Sequence, residues 1–525
     1  MLRIRGGSLF DPRHSRRGET GDLCVRDGRI VADLPAGAPE IDATGLCVMP
    51  GGIDLHTHVV GSSVGAARLL CPEDGGRLLP TLRETGRRYA AMGYTTLMDA
   101  AVAPIAARAA HEDLQQIPIV DKGLYVLLGN NEILLRFLRD RDETGLRDFV
   151  AWILEATRAF AVKVANPAGV EGWKRGAAPR EEEEHAVALG LGKAAVDLGL
   201  PHPIHLHMSG LGQPGNAGVS LRTMDRLRDT PAHFTHLQFH AYGGRTPRGI
   251  RSRAGELTAW VNTHPRSTVD VGQVIFGDAV TLSADAPAQH RLHRATGRKW
   301  LNLDLEVETG CGIVPHRYRE DSLFSSVQWA IGLEILLRVE DPWRVFLTTD
   351  HPNGGAFSAY PGLIRLLMDQ SARREAIERA HPRLKERSDI ALLTREYDLN
   401  EIAILTRAGP ARALGLDRKG HLGPGADADI VLYERSDDLE AMFARPVVVL
   451  KDGVIVAREG TIVEEPPGRT LHVAPPRLEG EARTRFEGSI RDDFERYYTV
   501  PFEDYRIEAE MLPRAEAVPA RPGRA

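Results

Sequence analysis

Two histidines in the segment GGIDLHTHVVG have the spacing of a metal-binding pair. His56 and His58 end an apolar run that follows the turn signal Pro50-Gly51-Gly52. If this run is a strand, its residues i and i+2 face the same side, so the two imidazoles project together. Neutral imidazoles on one face can bind one divalent metal ion. The pair alone fits a structural or hydrogen-bonding role equally well, so further ligands must come from elsewhere in the chain.

A lysine at the end of a second apolar run offers a different kind of ligand. Lys163 lies in AFAVKVANP, which has the composition of a buried strand. Burial lowers the pKa of a lysine and leaves a nucleophilic amine. Such an amine can react with carbon dioxide and become a carbamate, whose two oxygens bridge two metal ions. For a lysine considered alone, snorkelling to solvent or pairing with a carboxylate is the alternative.

Three later apolar runs also end in residues that bind metals. HPIHLHM contains His205 and His207, FTHLQFHAY contains His236 and His240, and RVFLTTDHP contains Asp350. Ligands at strand ends are normally the last residues before the loop, which favours His207 and His236 and leaves the other two as alternatives. We expect the remaining histidines of these runs, His202, His233 and His240, to pack around the ligands or at the surface. Asp350 is the candidate general base.

The segments that position these residues alternate between apolar runs and helical stretches, which is typical of a parallel sheet built from βα units. In a TIM-type barrel the catalytic groups lie at the C-terminal ends of the strands. We therefore predict an α/β fold with a TIM-like (β/α)8 barrel over residues 50–399. Short strands and Asp-Gly turns on both flanks predict a composite β-sandwich domain from residues 1–49 and 400–465.

Residues 466–525 form a third region, which is rich in proline and charged residues. Such a composition fits a solvated tail. The aromatic residues of FERYYTVPFEDY instead favour an arm that contacts a partner, because aromatic side chains are enriched at protein contacts.

Composition excludes several function classes. The formal net charge of −6 gives no electrostatic support for nucleic acid binding, and no window approaches the roughly 18 apolar residues of a membrane span. The N-terminus lacks the apolar core of a signal peptide. The four cysteines are scattered without a CxxC motif, which argues against a disulfide scaffold or an iron–sulfur cluster. We expect a cytoplasmic protein with neither nucleic acid nor membrane partners.

The ordered set HxH, Lys, His, His, Asp resembles the amidohydrolase superfamily, in its dihydropyrimidinase/dihydroorotase branch with a carboxylated lysine. VMPGGIDLHTH and GHLGPGADADIVLYE are similar to the segments that enter and leave the barrel in that branch. Dihydropyrimidinases usually carry an acidic residue soon after the histidine that corresponds to His207, whereas this chain continues as HMSG. This difference disfavours a cyclic amide substrate. GGIDLHTHVVG, KVANPAGVEGWKRG, THLQFHAYGG and TTDHPNGGAFSAYPGLIRLLMD resemble the A subunits of formylmethanofuran dehydrogenases and of formyltransferase/hydrolase complexes, over nearly the whole chain.

This resemblance implies a binuclear metal amidohydrolase that hydrolyses an N-formyl group on a methanofuran or methylofuran carrier. The products would be formate and the free amine, within a multisubunit complex of one-carbon metabolism. It implies two divalent metals, zinc being the best match to the ligands, and a carbon dioxide-derived carbamate on Lys163. The implied metal ligands are His56, His58, Lys163, His207, His236 and Asp350, with Asp350 also the catalytic base. The alternatives are a hydantoinase-like cyclic amidase and a non-catalytic scaffold protein of the complex.

The family's carrier bears a chain of glutamates, so its carboxylates need cationic partners. The segment HRLHRATGRKW is basic and aromatic and supplies Arg291, Arg294, Arg298 and Lys299 as candidate carrier-binding residues. A solvated basic loop is the alternative interpretation of this segment.

Overall fold

A computed structural model of the protein describes residues 1–169, 172, 175–176, 180–283, 286–304, 310–498 and 500–522. Part of the motif KVANPAGVEGWKRG, namely residues 170–171 and 173–174, lies outside the described residues, as do the last three residues of the C-terminal arm.

The strands, in chain order, are β1 (Leu2–Asp11), β2 (Arg16–Arg26), β3 (Arg29–Val31), β4 (Glu40–Asp42), β5 (Leu46–Pro50), β6 (Gly52–Thr57), β7 (Tyr94–Val102), β8 (Asp121–Leu127), β9 (Ala161–Ala165), β10 (Ile204–His207), β11 (Ala232–Phe234), β12 (Tyr242–Gly243), β13 (Arg251–Ser252), β14 (Ser267–Asp270), β15 (Gly277–Ser283), β16 (Leu301–Asp304), β17 (Gly310–Tyr318), β18 (Val345–Phe346), β19 (Ile430–Glu434), β20 (Val448–Lys451), β21 (Val454–Arg458), β22 (Thr461–Ile462), β23 (Thr470–Ala474) and β24 (Ala515–Pro519).

The helices are α1 (Gly61–Leu70), α2 (Leu82–Ala91), α3 (Ala107–Gln115), α4 (Glu132–Asp140), α5 (Glu143–Ala156), α6 (Glu181–Asp197), α7 (Ala217–Arg226), α8 (Ala254–Thr263), α9 (Ala286–Thr296), α10 (Leu323–Arg338), α11 (Tyr360–Met368), α12 (Gln370–Arg379), α13 (Leu399–Ala403), α14 (Gly409–Ala413), α15 (Leu439–Ala444) and α16 (Gly480–Tyr497). In the described part of the chain, none of them is long and apolar enough to cross a membrane.

Eight parallel strands form the barrel, in the order β6-β7-β8-β9-β10-β11-β14-β18. A parallel bridge between Thr57 and His351 joins the last strand to the first, and the His58 amide donates to the His351 carbonyl at 2.8 Å. Every residue of β8 and β9 is buried, as expected for parallel strands covered by helices on the outside. The predicted (β/α)8 barrel is confirmed.

The two flanks of the chain build a separate nine-stranded sheet in the order β22-β21-β20-β19-β5-β1-β2-β3, with β4 beside β1. Strands β5 and β19 pair antiparallel, with Val48 opposite Leu432. The segment that enters the barrel therefore lies against the segment that leaves it. Apolar side chains from both flanks share one core, including Ile4, Val48 and Ile430. The predicted β domain built from both flanks is confirmed.

Strands β15, β17 and β16 form a three-stranded antiparallel sheet inserted after β14. This insertion sits on the loop that follows β18. The Val280 amide donates to the Pro352 carbonyl at 3.2 Å, and the Leu282 amide donates to Asn353 Oδ1 at 2.6 Å. Helix α9, which carries Arg291 and Arg294, belongs to the same insertion.

The C-terminal arm extends the barrel sheet, because β23 pairs with β8 and β24 pairs with β23, both in parallel. Aromatic residues of the arm contact other parts of this same chain. Phe502 stacks on Trp152 of α5, with 5.0 Å between the ring centroids, and Phe494 meets the same ring edge-on. These rings cover the outside of the barrel, and contact of the arm with a partner stays a prediction.

Candidate metal centre

Three of the predicted ligands meet at the C-terminal end of the barrel strands. His56 and His58 lie at the end of β6, and Asp350 follows β18. Asp350 Oδ1 lies 3.1 Å from His56 Nε2 and 3.0 Å from His58 Nε2. One ligand atom from each of the three residues lies within 4.8 Å of the others, a spacing that fits a single shared ion.

Asp350 is held in a fixed and unusual conformation. Its φ is +48°, in the left-handed region that non-glycine residues rarely adopt. The Asn353 amide nitrogen Nδ2 donates to Asp350 Oδ1 at 3.0 Å, and the Asn353 backbone amide donates to the Asp350 carbonyl at 2.7 Å. Burial opposes ionisation of Asp350, but His236 and His56 hold the pKa of this carboxyl well below its usual range. The carboxylate is therefore ionised and oriented.

Lys163 lies inside the barrel beside these groups, with only 2% of its surface exposed. Its Nζ donates to Thr235 Oγ1 at 3.4 Å, and across the described ranges no carboxylate lies within ion-pair distance of it. Burial lowers the pKa of Lys163 to about 8, although Asp350, Asp270 and Asp99 act in the opposite direction. The neutral amine that carbamate formation requires is therefore far more populated near physiological pH than in an exposed lysine. Neither snorkelling nor direct carboxylate pairing describes this side chain.

Three further imidazoles cluster next to Lys163. His207 ends β10, and its ring centroid lies 4.6 Å from that of His236 and 5.7 Å from that of His240. Burial lowers the pKa of all three rings, which favours the neutral form that binds metals. The geometry brings both predicted ligands, His207 and His236, to one place. It also brings His240 there, so that alternative to His236 stays open.

Several buried imidazole nitrogens of the candidate metal centre form no hydrogen bond in the described part of the chain. They are His236 Nδ1 and both ring nitrogens of His240, together with His56 Nε2, whose contact with Asp350 Oδ1 at 3.1 Å lacks hydrogen-bond geometry. Buried polar atoms in native proteins are nearly always paired, so a group of unpaired nitrogens at one place needs an explanation. Divalent metal ions bound between these imidazoles and Asp350 would satisfy them. The residues present therefore fit a metal centre.

His205, the alternative to His207, lies one layer deeper in the barrel. Its Nε2 lies 3.0 Å from His56 Nδ1, and its Nδ1 lies 3.0 Å from His202 Nε2. Both ring nitrogens of His205 thus have partners within the protein. One ligand atom each from His205, His56 and Asp270 also lies within 4.8 Å of the others, so His205 stays open as the alternative to His207.

Asp270 is a residue that the sequence analysis missed. Its Oδ2 lies 3.1 Å from His56 Nδ1 and 3.0 Å from His233 Nε2. Its Oδ1 accepts from the Thr348 hydroxyl at 2.7 Å and from the His236 amide at 3.0 Å. Asp270 is the last residue of β14, much as Asp350 lies shortly after β18. The segment STVDVGQ therefore did carry a signal for this residue, namely a carboxylate at the end of a strand.

A glycine makes room for His236. This histidine has a φ of +35°, so its side chain turns inward directly after Thr235. A Cβ on Gly272 would lie 2.4 Å from His236 Cβ and 3.4 Å from Asp350 Cβ. Gly272 itself has a φ of +64°, which also disfavours any side chain there.

The predicted carrier-binding residues lie outside the ligand cluster, Arg291 and Arg294 on helix α9 of the insertion and Arg298 and Lys299 between α9 and β16. Arg291, Arg294 and Arg298 are exposed. Lys299 is already engaged, because its Nζ lies 2.7 Å from Glu73 Oε1 and donates to the Leu70 carbonyl at 2.8 Å. A cavity of about 310 Å³ opens here, lined in part by Arg77, Arg298, Lys299, Arg317 and by the acidic Asp74 and Asp278.

A parallel barrel with histidines, a lysine and an aspartate converging at its C-terminal end defines the architecture of metal-dependent hydrolases that act on amide bonds. The model of the amidohydrolase family matches residues 39–457, and the chain belongs to this family.

More specific relatives cover nearly the whole chain. The chain is 39% identical to the protein FwdA of Methanocaldococcus jannaschii, over 97% of this chain and 96% of that protein. It is also 39% identical to the A subunit of the formyltransferase/hydrolase complex Fhc of Methylorubrum extorquens, over 90% of this chain and 91% of that one. The crystal structure of the FhcABCD complex of M. extorquens with methylofuran contains a chain that matches 99% of this one, with a TM-score of 0.93 and 36% identity. The resemblance predicted from the motifs is confirmed.

Proposed function

We propose that this protein hydrolyses an N-formyl group on a furan-based carrier of the methanofuran or methylofuran type, releasing formate and the free amine. We further propose that it acts as the A subunit of a formyltransferase/hydrolase complex in one-carbon metabolism. One observation carries this: unpaired buried nitrogens surround an ionised Asp350 in a chain that matches the Fhc structure over 99% of its length. The relatives' names supply the substrate class, since the structure of FhcABCD was solved with methylofuran.

The proposed metal ligands form two overlapping sets. His56, His58, Lys163 and Asp350 would hold one divalent ion, and Lys163, His207 and His236 would hold the other, with zinc the best match. Lys163 would join both sets as a carbamate, formed when its neutral amine adds to carbon dioxide and loses one proton. When bound, two such ions lower the pKa of water and polarise the formyl oxygen.

Asp350 is the proposed catalytic base. Its Oδ1 already faces His56, His58 and the amide of Asn353. Its Oδ2 has no protein hydrogen-bond partner among the described residues, which leaves it available to the substrate side. There it would accept a proton from the attacking water and pass it to the departing amine. Asn353 keeps the carboxylate from rotating during this transfer.

The carrier would reach the centre past the inserted sheet. Arg291, Arg294 and Arg298 remain our proposed contacts for carboxylates of the carrier, because they are exposed and have no ion pair in the described ranges. Lys299 is a weaker candidate, since its ammonium already pairs with Glu73.

The test is formate release from the N-formylated carrier by the protein co-purified with its complex, with metal content measured on the same sample. We expect formate release with two metal ions per copy of this chain. Ring opening of hydantoin or dihydrouracil instead of formate release would favour the cyclic amidase. A preparation without stoichiometric metal and without activity would overturn the proposal in favour of a scaffold role.

A further inference from the structure

We propose that the inserted sheet is part of the catalytic apparatus, because it holds Asp350 in place through Tyr318 and Asn353. Both are positioning residues, which act on the reaction through Asp350. This inference rests on the proposed function, and it gives the insertion a role besides contact with the carrier.

The free edge of strand β15 lies against the loop that carries Asp350. Strand β15 is at the edge of the inserted sheet and pairs antiparallel with β17. In such a strand every second amide faces the same edge, so the amides of Val280 and Leu282 point the same way. They donate to the Pro352 carbonyl at 3.2 Å and to Asn353 Oδ1 at 2.6 Å. The loop therefore takes up donors that an edge strand would otherwise leave unpaired.

Asn353 connects the insertion to Asp350. On one side, its Oδ1 accepts from the Leu282 amide and its carbonyl accepts from the Tyr318 hydroxyl at 3.0 Å. On the other side, its own amide donates to the Asp350 carbonyl at 2.7 Å and its Nδ2 donates to Asp350 Oδ1 at 3.0 Å. A backbone amide can only donate, so the Asn353 side chain has one orientation, with Nδ2 toward the carboxylate.

The rest of the protein holds this loop on either side of Asn353. The His58 amide donates to the His351 carbonyl at 2.8 Å, and the Ile275 amide donates to the Gly354 carbonyl at 2.8 Å. For the two residues between His351 and Gly354, every hydrogen bond made outside their own loop goes to the insertion, within the ranges that the structure describes. The orientation of Asn353 therefore depends on the inserted sheet.

Asn353 also differs from the other groups that contact the Asp350 carboxylate. His56 Nε2 and His58 Nε2 lie 3.1 and 3.0 Å from Asp350 Oδ1, but both nitrogens belong to proposed metal ligands. An ion bound there would occupy them. Asn353 is not a proposed ligand, so its hydrogen bond can orient the carboxylate while the imidazoles are engaged.

The strands that hold the loop also line the cavity on the carrier side. Val280 of β15 and His316 of β17 belong to the lining of the cavity of about 310 Å³. The His316 ring packs edge-on against Tyr318, with 4.6 Å between the ring centroids. The insertion thus contacts both the proposed path of the carrier and the loop of the base. One element that fixes both would keep the reacting groups in register.

The test measures formate release by variants of the protein in its purified complex. The substrates are the N-formylated carrier and N-formylfurfurylamine, a formylated furan amine without the carboxylate chain. Tyr318→Phe removes one hydrogen bond to Asn353, so kcat should fall by about 3- to 10-fold for both substrates, with KM and metal content unchanged. Asn353→Ala removes both side-chain bonds and should lower kcat by about 10- to 100-fold. Tyr397→Phe is the matched control and should keep kcat, because the buried Tyr397 hydroxyl also donates to a backbone carbonyl, that of Leu336.

A higher KM for the carrier alone, with normal kcat, would overturn the proposal in favour of a role in carrier binding. Normal kcat in Tyr318→Phe and Asn353→Ala would also overturn it, as would a parallel loss of metal and activity, which indicates damage to the metal centre. Tyr318→Phe removes a single oxygen atom and decides the question should Asn353→Ala not fold. If the unmodified complex releases no formate from either substrate, the proposed function itself fails and the positioning role falls with it.

Discussion

Two buried clusters of charged and polar groups lie at opposite ends of the barrel. At the N-terminal end, an ion network is formed by Asp121, Asp427, Asp429, Lys419, Lys451 and Arg469. Lys419 Nζ lies 2.7 Å from Asp121 Oδ2 and 2.8 Å from Asp429 Oδ2, and Arg469 Nη2 lies 2.7 Å from Asp121 Oδ2. The network joins strand β8, the β domain and the C-terminal arm.

The candidate metal centre at the other end has the opposite character. Its lysine, Lys163, bonds a hydroxyl group, and several of its imidazole nitrogens have no partner among the described residues. Both clusters place three ligand atoms close enough for one metal ion, His56, His58 and Asp350 in one case and the three aspartates of the ion network in the other. Three cations already neutralise the aspartates. Unpaired atoms, rather than ligand spacing, therefore distinguish a site that needs a ligand from one that is complete.

The largest effect should come from Asp350→Asn, which breaks the candidate metal centre at the proposed base. The asparagine keeps the volume and the contact with Asn353 but cannot accept the proton, so kcat for formate release should fall by about 10²- to 10⁴-fold. The urea midpoint should change little, because the β domain and the ion network are untouched. Formate release at the level of the unmodified protein would contradict the assigned base.

Lys419→Met breaks the ion network instead. Removing one cation leaves Asp121 and Asp429 buried with less compensation, which should lower the free energy of unfolding by about 3–5 kcal/mol. Metal content should not change, because the two clusters are at opposite ends of the barrel. Urea unfolding measures the loss, with Lys385→Met as the control, since Lys385 pairs with Glu378 at the exposed surface. A loss no greater than in this control would show that the network does not stabilise the fold.

Gly272→Ala should produce a smaller and more local effect at the candidate metal centre. The added Cβ would lie 2.4 Å from His236 Cβ and adopt a left-handed φ, at a cost of roughly 1–3 kcal/mol. We expect lower metal content per chain as His236 is displaced. Gly212→Ala has a similar φ of +68° with open space around it, so it controls for the backbone cost alone. Equal metal content in both variants would argue against His236 as a ligand.

The sequence predicted the barrel and the ligand candidates because strand ends carry local signals. Lys163 and Asp350 each close an apolar run, and neighbouring parallel strands bring such ends together. It did not predict Asp270 as a partner of His56, because that contact depends on how β14 and β6 meet across the barrel. The aromatic arm was ambiguous for the same reason: its stacking partner, Trp152, lies on a helix far away in the chain.

The ion network was also invisible in the sequence, since Asp121 starts an ordinary barrel strand and its cations come from the β domain and the arm. Single charged residues in such segments usually lie at the surface. Only the pairing of strands from both flanks shows that these charges are buried together.

The pH dependence of stability should separate the ion network from the rest of the fold. Burial opposes ionisation of Asp121 and Asp429, but Lys419 and Lys451 hold the pKa of both carboxyls below the usual range. Because the native pKa is depressed, the unfolded chain binds protons first as the pH falls below about 4. The stabilisation is therefore complete above about pH 5 and decreases as the pH falls toward the native pKa values.

Comparison of the unmodified protein with Lys419→Met isolates this contribution, because Asp350 and the other carboxylates are common to both. The difference in free energy of unfolding should be constant between about pH 5 and 8 and should narrow below about pH 4, where the unfolded carboxylates become protonated. Urea unfolding at pH 8, 6, 4 and 3 would measure it. A difference that stays constant down to pH 3 would mean that the lysine stabilises the fold through packing of its side chain. The contrast between the ion network and the candidate metal centre would then have no electrostatic basis.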